Sequence, residues 1–359
     1  MQKLLSLATL IAMGGGIWMA IGGGALDQLG TDPNAQVAQP AQQTASAPPA
    51  DLWARDPQVA QTPQATIANM PVTIGGAAPQ GQDGPTIKIA SFNIRDFGDA
   101  KMRVPRVVAL LADVVRKFDV VAIQEISTQN TRHMQDFVSY VNQGGAQYDY
   151  VVSERLGNSN QKEQYAYVFN TKTIIIDRSS VYTVGDPNNL LSREPHVASF
   201  RTNVDPNVAF TFILVNVHAV PEDPALRNEL DVLAEVYRVV RRSSNGEDDV
   251  IMLGDFNASD RKMAQTRLGM IPGLTCLLGG NVFTNTRQNN LLDNLLIHTA
   301  STSEYVGRSG VYNFAGPPLN LSRDEAETVS DHFPVWAEFS VYELDYNRRI
   351  ANRGGTTVR

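Results

Sequence analysis

An α/β sandwich built on mixed sheets is the fold class this sequence predicts. Three observations carry that reading. From about Thr86 onward, short apolar runs of strand length outnumber helical segments. The two strongest amphipathic stripes fall between pairs of those runs, which suits strand–helix–strand crossovers within mixed sheets better than a doubly wound parallel sheet. Polar residues of catalytic type also recur where the runs stop: Asn93, Glu125, His218, Asp255, Asn257, Asp331 and His332.

The elements follow in order. Ile87-Lys88-Ile89-Ala90-Ser91-Phe92-Asn93 alternates as a strand does and ends on Asn93. Val104, Val107, Val108, Leu111, Val115 and Phe118 mark a helix with Pro105 in its first turn. Val120-Val121-Ala122-Ile123-Gln124-Glu125 is a second, buried strand. A parallel, right-handed crossover would bring Asn93 and Glu125 to neighbouring strand ends. A short helix is expected over 131–141. Strands are expected over 148–153 and 165–170, around the polar loop 158–163, then over 174–177, 197–202 and 208–218. Leu226, Leu230, Leu233, Tyr237 and Val240 form an amphipathic helix that leads into Val250-Ile251-Met252-Leu253-Gly254-Asp255-Phe256-Asn257. That run reads as a buried strand in which Gly254 allows a tight path, and alternation lets Asp255 and Asn257 face the same way. Strands over 291–298 and 334–341 complete the set, with a Gly/Pro/Asn-rich loop region between them that ends in Ser330-Asp331-His332.

The 359 residues are 43% hydrophobic and 19% charged, with a formal charge of −7. That is enough apolar material for a substantial core. A protein that binds nucleic acid chiefly by charge is usually basic, so phosphate chemistry here must rest on local cations or a metal ion. Cys276 is the only cysteine, which excludes an intramolecular disulfide. Residues 4–25 carry no charge and follow Lys3. They match the roughly 20 apolar residues of a membrane crossing, but are rich in glycine. A signal peptide and an uncleaved membrane anchor both fit residues 1–30, and both place the remainder outside the cytoplasm, secreted or tethered. Residues 31–85, rich in Pro, Ala, Gln and Thr without apolar periodicity, read as an extended linker. A folded domain over 86–345 and a loose tail over 346–359 remain.

Taken singly, each strand-end residue has a plain structural reading. Asn93 can cap a turn, Glu125 can be a solvated strand end, and Asp331 can cap the turn before Pro334. Their joint placement is what points to chemistry. Hard oxygen donors such as Asn93, Glu125 and Asp255 favour Mg²⁺, Mn²⁺ or Ca²⁺ over zinc. A histidine beside a carboxylate can activate water. There is no G-x-S-x-G, and no motif surrounds Cys276. Metal-assisted phosphoester hydrolysis suits this set.

Several stretches together resemble the endonuclease/exonuclease/phosphatase superfamily, and within it the pancreatic-type deoxyribonucleases. They are residues 87–95 with Phe97-Gly98, Ile123-Gln124-Glu125, Tyr150-Val151-Val152-Ser153-Glu154, Lys162-Glu163, Arg193-Glu194-Pro195, Gly254-Asp255-Phe256-Asn257 and Ser330-Asp331-His332. They occur in the family's order over roughly residues 86 to 341, and Arg193-Glu194-Pro195 points to the deoxyribonuclease branch. The resemblance implies a four-layer α/β/β/α sandwich with two mixed sheets, cleaving DNA phosphodiesters as a monomeric catalytic domain. It implies Asn93 and Glu125 as metal ligands, His218 with Glu163 as one catalytic pair, and His332 with Asp331 as the other. It further implies Asp255 and Asn257 at the centre, Asp293 supporting one histidine, and Arg95 and Arg193 on phosphate. Mg²⁺ or Mn²⁺ is the expected cofactor, with structural Ca²⁺ in addition. Which histidine is base and which acid stays open. Two minor-groove residues of the pancreatic enzymes, an arginine and a tyrosine, are replaced here by Ser127 and Gln161, which bears on duplex preference more than on hydrolysis. Two other readings remain: a phosphodiesterase or phosphatase of this fold acting on lipid or small phosphoesters, and a tethered, non-catalytic nucleic-acid-binding module.

Overall fold

The computed structural model describes residues 84–158, 162–244 and 246–344. The signal or anchor segment, nearly all of the linker, Gln161 and the tail lie outside the described residues. In chain order the first half runs β1 (Thr86–Asn93), α1 (Asp99–Met102), α2 (Pro105–Val115), β2 (Val120–Ile126), α3 (His133–Val141), β3 (Tyr148–Val152) and β4 (Gln164–Asn170). Then come β5 (Ile174–Thr183), β6 (His196–Thr202), β7 (Thr211–His218), α4 (Ala225–Ser243), β8 (Val250–Asp255), α5 (Asp260–Met263) and β9 (Leu274–Cys276). The last elements are β10 (Asp293–His298), β11 (Tyr305–Val311), α6 (Arg323–Val329) and β12 (Val335–Ser340).

These strands make two six-stranded sheets, ordered β11-β12-β1-β2-β4-β3 and β5-β6-β7-β8-β10-β9. Both sheets are mixed. β1 pairs parallel with β2 and β7 parallel with β8, while β12, β4, β6 and β10 join antiparallel. Three apolar layers separate four structural ones. Phe92, Ile123 and Val168 of the first sheet pack under Val108, Leu111, Phe137 and Val329 of α2, α3 and α6. Ile89, Val120, Tyr167 and Ala337 meet Phe212, Leu214, Ile251 and Leu295 between the sheets. Leu226, Leu230, Leu233 and Tyr237 of α4 cover Val215, Val217, Val250 and Met252. The result is the expected α/β/β/α sandwich. Because both sheet faces are covered, the central strands read as continuous apolar runs. The N-cap residue of α4, Pro224, makes no side-chain cap bond. Its buried leucines, each contributing ~1.5–3 kcal/mol, are what hold that helix in place.

β11 and α6 lie in the stretch whose composition reads as loop. Glycines at 307 and 310 interrupt the strand pattern of β11. α6 spans only Arg323–Val329, too short for a visible apolar stripe, though Ser322 and Glu325 form a capping box at its start. No helix among the described residues is long and apolar enough to cross a membrane.

The two parallel pairs end at one rim. Asn93 stands opposite Gln124, and His218 opposite Asp255. β10 starts at that same rim, with Asp293 opposite Asp255. Just below, a buried amide bridge joins the sheets: Gln124 Nε2 donates to Asn216 Oδ1 at 2.6 Å and to Ser91 Oγ at 3.0 Å.

Candidate active site

Asp255 is the hub of the rim. Its Oδ2 accepts from Asn93 Nδ2 at 2.9 Å, and lies 3.7 Å from Nε2 of both His218 and His332. Its Oδ1 accepts the Asn257 N–H at 2.9 Å. The backbone needs Gly254 here. A Cβ at this position, with φ +150°, would fall 1.9 Å from the Val217 carbonyl oxygen of the adjoining strand. Strand alternation does not place Asn257, because β8 stops at Asp255 and Asn257 turns left-handed with φ 48°. Its side-chain amide donates to the Ala219 carbonyl at 2.8 Å, tying this turn to the residue after His218.

Each histidine is backed by a carboxylate. His218 Nδ1 lies 2.7 Å from Glu163 Oε1, and Arg193 Nε lies 3.0 Å from that same oxygen. His332 Nδ1 lies 2.8 Å from Asp293 Oδ2. The Nδ1–H of each ring therefore donates to its carboxylate, and each Nε2 is turned toward Asp255.

Asn93 and Glu125 close a third side. Asn93 Nδ2 donates to Glu125 Oε1 as well as to Asp255, both at 2.9 Å. Glu125 sits where the β2–β4 register breaks, at φ 64°, so the bulge re-aims its side chain. Its Oε2 accepts the Asp96 N–H at 3.0 Å. Asn93 Oδ1 is buried with no hydrogen-bond partner. An amide whose nitrogen is committed twice while its carbonyl oxygen is left over offers a lone pair for a cation. With the Glu125 and Asp255 oxygens it forms a hard donor set that fits a divalent ion. Donor atoms of Asp255, Asp293 and His332 also lie within 4.8 Å of one another. There His332 Nδ1 is spent on Asp293, which leaves the Asn93 side as the better cradle.

A model of the Endonuclease/Exonuclease/phosphatase family matches residues 90–332. The chain belongs to the endonuclease/exonuclease/phosphatase family. Deoxyribonuclease gamma of Homo sapiens is 31% identical over 282 residues, covering 74% of this chain and 88% of that protein. Deoxyribonuclease-1 of Bos taurus is 29% identical over 262 residues, covering 70% of this chain and 91% of its own. Among solved structures, an endonuclease/exonuclease/phosphatase family protein from Bacteroides thetaiotaomicron shares the fold at a TM-score of 0.50 and 18% identity, over 72% of this chain and 99% of its own. The family read from the ordered motifs is thus the family found.

Within the family site, one expected pairing is corrected. The ring partner of His332 is Asp293, not Asp331. Adjacent residues of an extended segment point to opposite sides, and His332 lies in a β-bridge with Asn285. The Asp331 carboxylate accordingly turns outward to Arg95 Nη1 at 3.5 Å. Arg95 is further held by the Glu327 carbonyl at 2.9 Å. Ser127, at one replaced docking position, is exposed.

The site's charges are set by burial and by each other. Burial works against protonation of His332, but Asp293 and Asp255 outweigh it and raise the imidazole to about 10. Burial opposes His218 too, and Glu163 and Asp255 raise it while Arg193 pulls the other way. Burial lifts the Asp255 carboxyl, partly offset by the charge of His332. Burial would also lift Glu125, yet His218, the Asp96 N–H and the Asn93 amide hold it below its ordinary value. A stability consequence follows for His332. A folded value raised above the unfolded ~6.5 gives stabilisation that is complete below pH ~6.5 and lost as pH rises through about 10. In chelator, His332→Gln should therefore destabilise the protein more at pH 6 than at pH 10. Denaturant midpoints of both proteins at the two pH values check this.

Glu229 belongs to this site and escapes sequence reasoning. It is buried on α4, and its Oε1 accepts the Ser192 N–H and its Oε2 the Val220 N–H, each at 2.8 Å. It thereby anchors the chain just before Arg193 and just after His218. The available signal was an acid inside the apolar stripe, between Leu226 and Leu230. Glu229→Ala strands two partly buried N–H groups and should destabilise by about 2 kcal/mol or more, measurable by denaturant unfolding, with a loss of cleavage rate alongside.

Proposed function

We propose that the chain is a divalent-metal-dependent endonuclease that hydrolyses phosphodiester bonds of DNA. The observation that carries this reading is the convergence of two carboxylate-backed histidines on Asp255 Oδ2, in a chain 31% identical to a deoxyribonuclease. Asn93 Oδ1, Glu125 and Asp255 would hold Mg²⁺, or Mn²⁺ in its place. A cation bound there neutralises phosphoryl oxygen charge and stabilises the leaving oxyanion.

The residues divide the proton work. Glu163 fixes the Nδ1–H tautomer of His218, which frees Nε2 to take a proton from the attacking water. The Arg193 guanidinium shares Glu163 Oε1 and partly offsets the upward pull of Glu163 and Asp255 on His218, whose net shift is still upward; that opposing cation is the ground for assigning His218 as base. His332, raised to about 10, carries its proton at neutral pH and delivers it to the leaving oxygen. The water oxygen bonds to phosphorus, the P–O bond to the leaving group breaks, and one proton is taken up as another is supplied. Asp255 lies between the rings and balances their charge, and Asn257 keeps its carboxylate oriented. Arg193 and Arg95 contact phosphate and offset the net charge of −7 locally, with Asp331 steadying Arg95. The uncharged residues 4–25 support a place outside the cytoplasm.

The test is a panel offered to the purified full-length chain with Mg²⁺, Mn²⁺ or Ca²⁺: plasmid DNA, single-stranded DNA, and lipid and small phosphoesters. Plasmid nicking supports the proposal. Release of choline phosphate or inorganic phosphate without nicking moves the assignment to the phosphoesterase reading. DNA binding without turnover in any metal moves it to the binding module.

A further inference from the structure

Three arginines from separate parts of the chain converge on Glu327 of α6. Arg95, just after β1, donates to the Glu327 carbonyl at 2.9 Å. Arg287, in the connection between β9 and β10, places Nε 3.3 Å from Glu327 Oε1, and Arg323, at the start of α6, places its Nε 3.1 Å from the same oxygen. The side chains of Arg287 and Arg323 are each 58% exposed and that of Glu327 only 20%, so the cations face solvent and the acid lies beneath them. The acids these arginines touch are Glu327 and, through Arg95, Asp331. Three cations against two acids leave the patch positive, in a chain whose formal charge is −7.

The bonds that place His332 also place this patch. Thr286 donates its N–H to the Asp331 carbonyl at 2.7 Å, and Asn285 lies in the β-bridge with His332. Asn285 Oδ1 accepts the N–H groups of Asn289 and Asn290 at 3.1 and 3.0 Å, which closes the turn that carries Arg287. In the first sheet β12 lies on one side of β1 and β2 on the other. The patch stands with His332 on the β12 side. Ser127, which replaces a minor-groove residue of the pancreatic enzymes, follows β2.

Stability does not account for the grouping. Exposed ion pairs contribute about 0–1 kcal/mol. Arg323 occupies the first turn of α6, where a cation opposes the helix dipole, and it precedes its acid by four residues, the weaker order for such a pair. Arg287 and Arg323 both reach Glu327 through Nε. That leaves the paired Nη donors of each fork for the oxygens of a phosphate.

We propose that Arg287 and Arg323, continuing from Arg95, form a second phosphate-binding patch that holds the backbone of duplex DNA on the His332 side of the cleavage centre. It takes the place of the minor-groove contact that Ser127 does not supply. The proposal rests on the endonuclease reading and adds to it a face and two residues. Contacts of this kind position the duplex without reading its sequence.

The experiment is binding of a fluorescent DNA duplex to the full chain in chelator, followed by anisotropy across a range of salt concentrations, with duplex cleavage kinetics in Mg²⁺ beside it. The double variant Arg287→Gln/Arg323→Gln should bind about tenfold more weakly or worse. The slope of log affinity against log salt should become shallower by about 2. KM should rise far more than kcat falls. Lys172→Gln removes an exposed charge just beyond β4, at the end that pairs with the start of β2 and is remote from the rim; its affinity and slope should match those of the natural protein. Should the double variant fail to fold, Arg287→Gln alone should make the slope shallower by about 1. Unchanged affinity and slope in the arginine variants, with a natural protein that nicks DNA, overturns the patch alone, as does an equal loss in Lys172→Gln. A natural protein that neither binds nor nicks duplex overturns the endonuclease reading and the patch with it.

Discussion

Replacing His218 with alanine should lower DNA cleavage by about 10³- to 10⁴-fold, the upper part of the range for removing a positioned general base. The loss should appear in single-turnover rate and not in DNA affinity, because His218 touches Glu163 and Asp255 within the protein and is buried. The second histidine does not substitute. His332 Nδ1 is committed to Asp293, and its ring is held protonated to about 10, so at neutral pH it has no lone pair for a water proton. Glu163→Gln separates positioning from base chemistry: it keeps the imidazole and removes the charge behind it, and should cost less rate than His218→Ala. Equal rates for His218→Ala and the natural protein would remove His218 from the reaction.

Glu125→Gln should produce the second large effect, more than 10²-fold at low metal concentration. Changes one layer outside a metal site already lower affinity 10–100-fold, and Glu125 supplies charge directly beside the unpartnered Asn93 Oδ1. The amide keeps the shape and the hydrogen bond to the Asp96 N–H. The defect should therefore be one of ion affinity, partly recovered by raising Mg²⁺, with the metal-free fold intact by circular dichroism. Titration calorimetry with Mn²⁺ should show the weakened binding. A rate defect of the same size at all metal concentrations would contradict the ligand role.

Much of the site was legible because its residues stand where buried strands stop. Asn93, His218 and Asp255 end β1, β7 and β8, and a polar side chain after four or five buried apolar residues is visible in one dimension. Relations that depend on three dimensions were not. Nothing in Ser330-Asp331-His332 says that Asp331 turns outward to Arg95 while Asp293, far earlier in the chain, supports His332. Asn257 was expected to follow strand alternation, but β8 ends first and a left-handed turn takes over. Glu229 hid inside a helical stripe, and its importance lies in two backbone N–H groups that no composition reveals. β11 and α6 were lost because glycines break one pattern and brevity conceals the other.

Metal-dependent DNA cleavage is tested most directly by relaxation of supercoiled plasmid by the full chain, first in chelator and then with Mg²⁺ restored. No relaxation is expected in chelator and nicked circles once Mg²⁺ is present, with His218→Ala silent in both. Intact plasmid in Mg²⁺, Mn²⁺ and Ca²⁺ alike, or nicking that persists in chelator, would contradict it.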